Sequence, residues 1–264
     1  MDKLFEARGV KVLAGPFKGR MRQKKWNVME SVLFVIIVLV TGFILLNSPV
    51  FEVRKVLVRG NNFLDEEKIL AVADIGLGVN IFKLKIADIT SNLKQLPMIK
   101  ETQVARSLPS SVVITVVERV PLGLLPAKEG FIKVDEDGVY LAGAGAGTPG
   151  LPVITGVEVD LAGPGQVLGS ERLSSALDVI SELPAGFTTN LTEVHVDGDG
   201  QINIYTTEGY QCRFGLPQQI REKGQILQQV LSELRQQGAK INYIDLSYAG
   251  QPVVCYKNSA KAGD

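Results

Sequence analysis

The 264-residue chain has one histidine, two cysteines and one tryptophan, and aromatic residues make up 6% of it. One histidine, His195, excludes any multi-histidine metal site. Between Val194 and Val196 it points to the face of its strand opposite those valines, and it reads as a solvated or edge residue. No G-x-S-x-G elbow accompanies it, so nucleophile–His–Asp chemistry has no setting. Gly145-x-Gly147-x-x-Gly150 spells the dinucleotide fingerprint, but Pro149 and Leu151-Pro152 continue as extended chain where a phosphate-binding helix must open. Asp135-Glu136-Asp137 and Asp197-Gly198-Asp199 fall on tight turns without the closing Glu of a calcium loop; they read as acidic hairpin turns. The low aromatic content argues against a carbohydrate platform. We find no catalytic set, no metal or cofactor site and no small-molecule substrate.

Cys212 and Cys255 are too few for a disulfide framework. They could pair only if their strands lie adjacent in a suitable register; two buried free thiols are the simpler reading.

The longest absence is of charge. From Ser31 to Phe51 no residue is charged, and Val32–Leu46 is apolar except for Thr41 and Gly42. At about 1.5 Å per residue a helix of this length covers roughly 30 Å, the depth of a bilayer's hydrocarbon core. A soluble amphipathic helix would carry a polar stripe. The run predicts a transmembrane helix over 31–51. Residues 1–30 carry eight basic and three acidic residues, which keeps the N-terminus in the cytoplasm and sends the remainder outside. Trp26 stands where an interfacial anchor belongs. A cleaved signal peptide fits less well: its apolar region is shorter, and Leu46-Asn47-Ser48-Pro49 offers no small-x-small site.

The remainder carries 20 basic and 25 acidic residues, which gives nucleic-acid binding no support. Phe51–Arg59 alternates as a strand, and Gly60-Asn61-Asn62 turns it. Asp65 followed by Glu66-Glu67 starts a helix, stopped by Gly76-Leu77-Gly78. Ile86, Ile89, Leu93 and Leu96 line a second helix ending at Pro97. Ile99–Arg106 and the β-branched Ser111–Val117 are strands. Strand, helix, helix, strand, strand makes a three-stranded sheet with both helices on one face.

Beyond Pro121 short strands and glycines dominate. Phe131–Val134 and Val139–Leu141 form a hairpin at Asp137-Gly138. Gly143–Gly150 is a low-complexity loop, and Leu151–Gly156 a short apolar segment. Ser170 caps a helix that ends at Pro184. Leu191–Val196, Gln201–Thr206 and Tyr210–Phe214 run as an antiparallel meander. A long helix starts near Pro217, presents Ile220, Leu227, Val230, Leu231 and Leu234, and stops at Gly238. Ile241–Lys257 is strand-like throughout. Such sheets expose edges that either need protection or dock another chain's strand. Pro252–Tyr256 reads equally as a core strand or, with Tyr243–Tyr248, as a partner platform.

Several motifs in order carry a resemblance: Val58-x-Gly60-Asn61, Gly78-Val79-Asn80-Ile81-Phe82, Leu96-Pro97-x-Ile99, Val104-x-Arg106-x-x-Pro109 and Ile114-x-Val116-x-Glu118-Arg119-x-Pro121. Together they resemble a POTRA domain of the bacterial cell-division family FtsQ/DivIB. Val134-Asp-x-Asp-Gly138-Val139, Leu151-Pro152-Val153-x-x-Gly156 and Ile244-Asp245-Leu246-x-Tyr248 resemble that family's β-rich second domain. Gly123 stands where the family usually has Ala, and Ser247 where it often has Arg.

The resemblance implies an α+β protein with a single N-terminal span. It divides into a basic cytoplasmic tail (1–30), the transmembrane helix (31–51), a POTRA domain (52–120), a β domain with an antiparallel sheet and helices (121–257) and a C-terminal tail (258–264). It further implies a non-enzymatic scaffold of the division machinery, in the cytoplasmic membrane at the septum. The expected partners are FtsB/DivIC-like and FtsL-like membrane proteins bound through the end of the β domain, with the POTRA domain recruiting further division proteins. By position in the motif, the partner-binding residues would be Tyr243, Asp245, Tyr248, Val253, Val254 and Tyr256. A POTRA chaperone for exported polypeptides, or a cell-wall-associated binding module or enzyme, is the alternative.

Overall fold

The computed structural model describes residues 28–145, 148–160, 163–184, 186–238, 240–248 and 250–257. The basic tail before Val28, with Trp26, and the terminal tail 258–264 lie outside the described residues.

The apolar run forms helix α1, Val28–Leu46, with a mean hydropathy of 2.7 and no buried residue. It starts three residues before the uncharged run and ends five residues before that run does. Pro49 sets this end: its ring disfavours helical backbone at the preceding residue and removes an amide donor. Pro49–Phe51 instead form a separate 3₁₀ turn. The strand expected from Phe51 therefore begins only at Lys55.

The first domain comprises β1 (Lys55–Arg59), α2 (Glu66–Ala73), α3 (Ile86–Leu93), β2 (Ile99–Ser107) and β3 (Ser111–Glu118). The strand order is β1-β3-β2, with β1 parallel and β2 antiparallel to β3. The two helices form the crossover that a parallel pair requires. Alternation along β3 buries Val112, Ile114 and Val116 against Ile69, Ala73, Ile89 and Leu93 from the helices. Each buried Val, Ile or Leu among them contributes roughly 1.5–3 kcal/mol by leaving water. Asp74, in the left-handed conformation, ends α2 two residues before the glycines expected to do so.

The second domain comprises β4 (Gly123–Pro126), β5 (Phe131–Val134), β6 (Tyr140–Ala144), β7 (Val153–Thr155), α4 (Glu171–Glu182), β8 (Leu191–Val196), β9 (Ile202–Thr206), β10 (Gln211–Gly215), α5 (Ile220–Gln237), β11 (Ile241–Asp245) and β12 (Val253–Tyr256). The strands form one nine-stranded sheet in the order β12-β11-β10-β9-β8-β7-β4-β5-β6. The expected antiparallel pairing holds within β4–β6, β8–β10 and β11–β12. These groups are joined by parallel pairs, β4 with β7, β7 with β8 and β10 with β11. The sheet is therefore mixed: the connections through α4 and α5 return the chain in the same direction for β7–β8 and β10–β11, and the connection through β5 and β6 does so for β4–β7. Leu173, Leu177 and Ile180 of α4 and Leu227, Leu231 and Leu234 of α5 are buried in one core with Ile202, Ile204, Cys212, Phe214 and Ile244 of the sheet. A Cβ on Gly123, at the start of β4, would lie 2.6 Å from Ile154 Cδ1, so alanine there would require that buried side chain to shift.

Candidate docking surface

β12 is a terminal strand of the sheet, paired on one side with β11 in the register Asp245↔Val253, Ile244↔Val254, Tyr243↔Cys255 and Ile241↔Tyr256. Its other side meets no strand among the described residues. The opposite terminal strand, β6, is different. Tyr140 exchanges backbone hydrogen bonds with Gly165 and Gln166, and Leu168 bonds to Gly138, so segment 163–168 covers the start of β6. An uncovered edge keeps a row of amides and carbonyls that a further strand can use.

The candidate residues gather around this edge but do not share one role. Val253 and Tyr256 are exposed on β12, and Tyr248, 80% exposed, projects from the bend after β11. Val254 is half-buried and packs on the core, which makes it a support for the edge. Tyr243 lies half-buried on the opposite face, with the Arg213 guanidinium 3.9 Å from its ring centroid. This cation–π contact holds both side chains flat on the sheet. Asp245 Oδ1 accepts the Ser247 amide at 2.9 Å and shapes the bend that presents Tyr248.

Two further residues, which sequence spacing did not reveal, shape the end of β10 that faces this bend. Gly215 has φ of 75°, and a Cβ on it would lie 2.8 Å from Ser247 Cα. The end of β10 can thus approach the bend only as glycine. Lys223, 2% exposed, donates from Nζ to the Phe214 and Leu216 carbonyls at 2.9 and 3.2 Å. Burial pulls its pKa below the ordinary lysine value. Gly215, Leu216, Gln219, Lys223, Ser247 and Tyr248 line a depression beside the edge.

The two cysteines are free. Cys212 is buried in the core, whereas Cys255 pairs across from Tyr243, and β11 lies between their strands. Two strand spacings, about 9.6 Å, are too far for a disulfide. Burial pushes the Cys212 thiol pKa up.

His195 does point away from Val194 and Val196, but it is half-buried and partnered rather than solvated. Thr155 Oγ1 lies 2.6 Å from Glu193 Oε1 and 2.7 Å from His195 Nδ1. The hydroxyl proton goes to the carboxylate, so Nδ1–H donates to the hydroxyl oxygen. In this order the imidazole does not take a proton from Thr155, and the trio cross-links β7 to β8. The fingerprint glycines lead into β7 rather than a helix; Gly147 lies outside the described residues. Among the described residues no cluster of three or more His, Cys, Asp or Glu side chains could hold a metal ion.

The acidic hairpin turn Asp135–Asp137 is partly buried and fully partnered. Asp135 is buried, and its Oδ1 accepts the Asp137 and Val139 amides. Its other oxygen meets Arg119, which also donates to Asp137 at 2.8 Å. Lys100 of β2 reaches Glu136 at 2.7 Å and Asp137 at 3.1 Å. Desolvation opposes the Arg119 charge, but hydrogen bonds to Asp135 and Asp137 outweigh it and hold its pKa above the ordinary value. These contacts join the first domain to the second.

The family model for the POTRA domain, FtsQ-type, matches residues 51–119, and that for the C-terminal part of cell division protein FtsQ/DivIB matches 123–247. Cell division protein FtsQ of Syntrophotalea carbinolica is 24% identical over 250 residues, covering 90% of this chain and 87% of the relative. That of Streptomyces griseus is 28% identical over 208 residues, covering 78% and 98%. That of Rickettsia felis is 38% identical over a shorter stretch of 92 residues, covering 35% and 34%.

Proposed function

We propose that this chain, which belongs to the FtsQ/DivIB family of cell-division proteins, is a non-enzymatic, single-span scaffold of the division machinery that captures other division proteins at the β12 edge. The observation that carries this reading is the contrast between β6, whose start is covered by segment 163–168, and β12, whose outer side meets no strand among the described residues. Tyr248, Val253 and Tyr256 supply exposed apolar contact beside the open amides and carbonyls. Tyr243, Asp245 and Val254 hold that edge in shape. An arriving strand would gain a ladder from the backbone and its selectivity from these side chains.

Helix α1 has the length and hydropathy of a membrane span. The basic excess before it favours an N-terminus in the cytoplasm and both domains outside. Partners of the FtsB/DivIC and FtsL kind are themselves single-span proteins. Anchoring all of them in one membrane at the septum raises their effective concentration at the edge. The first domain would serve recruitment of further division proteins.

The test is capture of an FtsB/DivIC-like partner by the full chain in detergent, comparing the native protein with Val253→Lys and Tyr256→Ala. These side chains are exposed, so the fold is retained and capture falls at least about tenfold, the loss expected from one or two interface anchors. Undiminished capture by both variants would reject the β12 edge as the docking site.

A further inference from the structure

The end of the first domain where the chain enters from α1 is apolar in a way its core does not require. Leu77, Val79, Phe82 and Leu108 are exposed, Leu77 by 70% and Leu108 by 59%. Backbone pairing brings their segments together. Val53 donates to the Val79 carbonyl and Gly78 to the Val53 carbonyl, both at 2.9 Å, and Glu52 bridges Asn80. Arg54 donates to the Ser110 carbonyl at 2.8 Å, which sets the β2–β3 turn carrying Leu108 beside the same entry strand.

The local structure forces these side chains outward. In the 3₁₀ turn Ile81–Lys83, Ile81 is fully buried, so Phe82 faces out and meets Phe51 in a tilted ring contact at 5.2 Å between centroids. Arg106 pins this turn through the Ile81 and Leu84 carbonyls, each at 2.8 Å. The rim is basic: Arg54, Lys55, Lys83 and Lys85 are exposed, against the half-buried Glu52 and an Asp88 that pairs with Lys85 at 3.8 Å.

Only Asn47 and Ser48 separate α1 from the turn at Pro49, and two residues span at most about 7 Å. We infer that this end of the first domain docks on the bilayer in which α1 is anchored, with Leu77, Val79, Phe82 and Leu108 at the headgroup–acyl boundary and the rim cations against anionic headgroups. The inference rests on α1 spanning the membrane. Apolar side chains with flanking cations are what a lipid interface holds, and the short tether keeps them within its reach. Docking would fix the height of the first domain and bring the open β12 edge to a defined distance from the membrane.

The test uses the full chain in vesicles of phosphatidylcholine with phosphatidylglycerol, its one tryptophan replaced by Trp26→Phe. Leu77→Trp, Leu108→Trp, Val38→Trp and Val167→Trp are made singly, and emission is read with lipids brominated near the headgroup or deep in the chain. Leu77→Trp and Leu108→Trp should lose more of their emission to shallow than to deep bromines. Val38→Trp should be quenched by deep bromines and Val167→Trp by neither. Lys83→Glu with Lys85→Glu should weaken the shallow quenching. If Leu77→Trp and Leu108→Trp behave like Val167→Trp while Val38→Trp is quenched, the anchor stands and the docking is overturned. The same result with a photo-crosslinker at Leu77 joining two copies would assign the patch to self-association. If Val38→Trp is not quenched, the anchor itself fails and the docking with it.

Discussion

Arg119, the first residue past β3, donates to both Asp135 and Asp137 in the turn between β5 and β6, and so ties the end of one domain to a hairpin of the next. Asp135 is buried, and its Oδ1 is taken by two backbone amides. Arg119→Ala would leave that carboxylate buried without its counter-charge, at a cost of about 3 kcal/mol. Denaturant unfolding should show the loss, and limited proteolysis should show faster cleavage between the domains. Arg119→Lys should recover only part of it, because one ammonium does not match the guanidinium fork.

The same cluster sets a pH window. Hydrogen bonds from Arg119 and then Lys100 hold the Asp137 pKa below its ordinary 3.8. Its stabilising contribution is therefore complete above that value and is lost as pH falls through the depressed pKa. Hydrogen bonds to Glu136 and Asp137 raise the Lys100 pKa above 10.5, so its contribution is complete below that value and is lost as pH rises through the raised one. Stability measured against pH should be level through neutrality and fall at both ends. Asp137→Asn should flatten the acid limb; an unchanged acid limb would remove Asp137 from the account.

Glu118 ends β3 and accepts the amides of Asn62, Phe63 and Leu64 at 2.9, 2.7 and 2.8 Å. It thereby holds the loop that leads into α2. Three charge-assisted bonds from one nearly buried carboxylate make Glu118→Ala costly, about 3 kcal/mol, and Glu118→Gln milder, about 1–2 kcal/mol. Thermal melting of the two variants should rank them in that order, and amide exchange should speed up first at Phe63 and Leu64.

The first domain was legible because its signals are local. Ile86, Ile89 and Leu93 mark a helix face, and Ser111–Val117 is a β-branched run whose alternate valines reach the core. β4 is not, because Gly123-Leu124-Leu125 is buried on both faces and shows no alternation to mark a strand. The start of β1 is not legible, because the apolar Phe51 belongs to the 3₁₀ turn and packs at a tilt on Phe82 rather than extending the strand. The candidate edge was half legible. Composition shows that Pro252–Tyr256 is a strand, but whether a strand is central or terminal depends on which other strands reach it, and here the parallel return through α5 decides that. The pairing of Asp135 with Arg119 joins residues of two domains and leaves no local pattern.

The thiols give a separate check on the placement of β11 between β10 and β12. Cys212 is buried with its pKa pushed up, whereas Cys255 is half-exposed on the other face. Alkylation of the folded chain followed by mass spectrometry should modify Cys255 and leave Cys212 until denaturant is added. Oxidant should not cross-link them within one chain. An intramolecular disulfide formed without unfolding would mean that the register of β10, β11 and β12 is wrong.

Glycine at two positions of positive φ separates backbone strain from steric support of the docking edge. Gly209 and Gly215 both have positive φ, 81° and 75°. A Cβ on Gly209 meets nothing within 4 Å, whereas one on Gly215 would lie 2.8 Å from Ser247 Cα. Each alanine variant bears the left-handed penalty of about 1 kcal/mol. Only Gly215→Ala must also push the bend after β11 away from β10, moving Tyr248 and the β12 strand that follows it. In denaturation the Gly215 variant should lose about 2 kcal/mol more than the Gly209 variant, in the range of other overpacked sites. In partner capture Gly209→Ala should match the native chain and Gly215→Ala should be weaker, although neither residue belongs to β12. Equal capture by the two would show that the bend does not position the edge, and would confine the docking determinants to β12 itself.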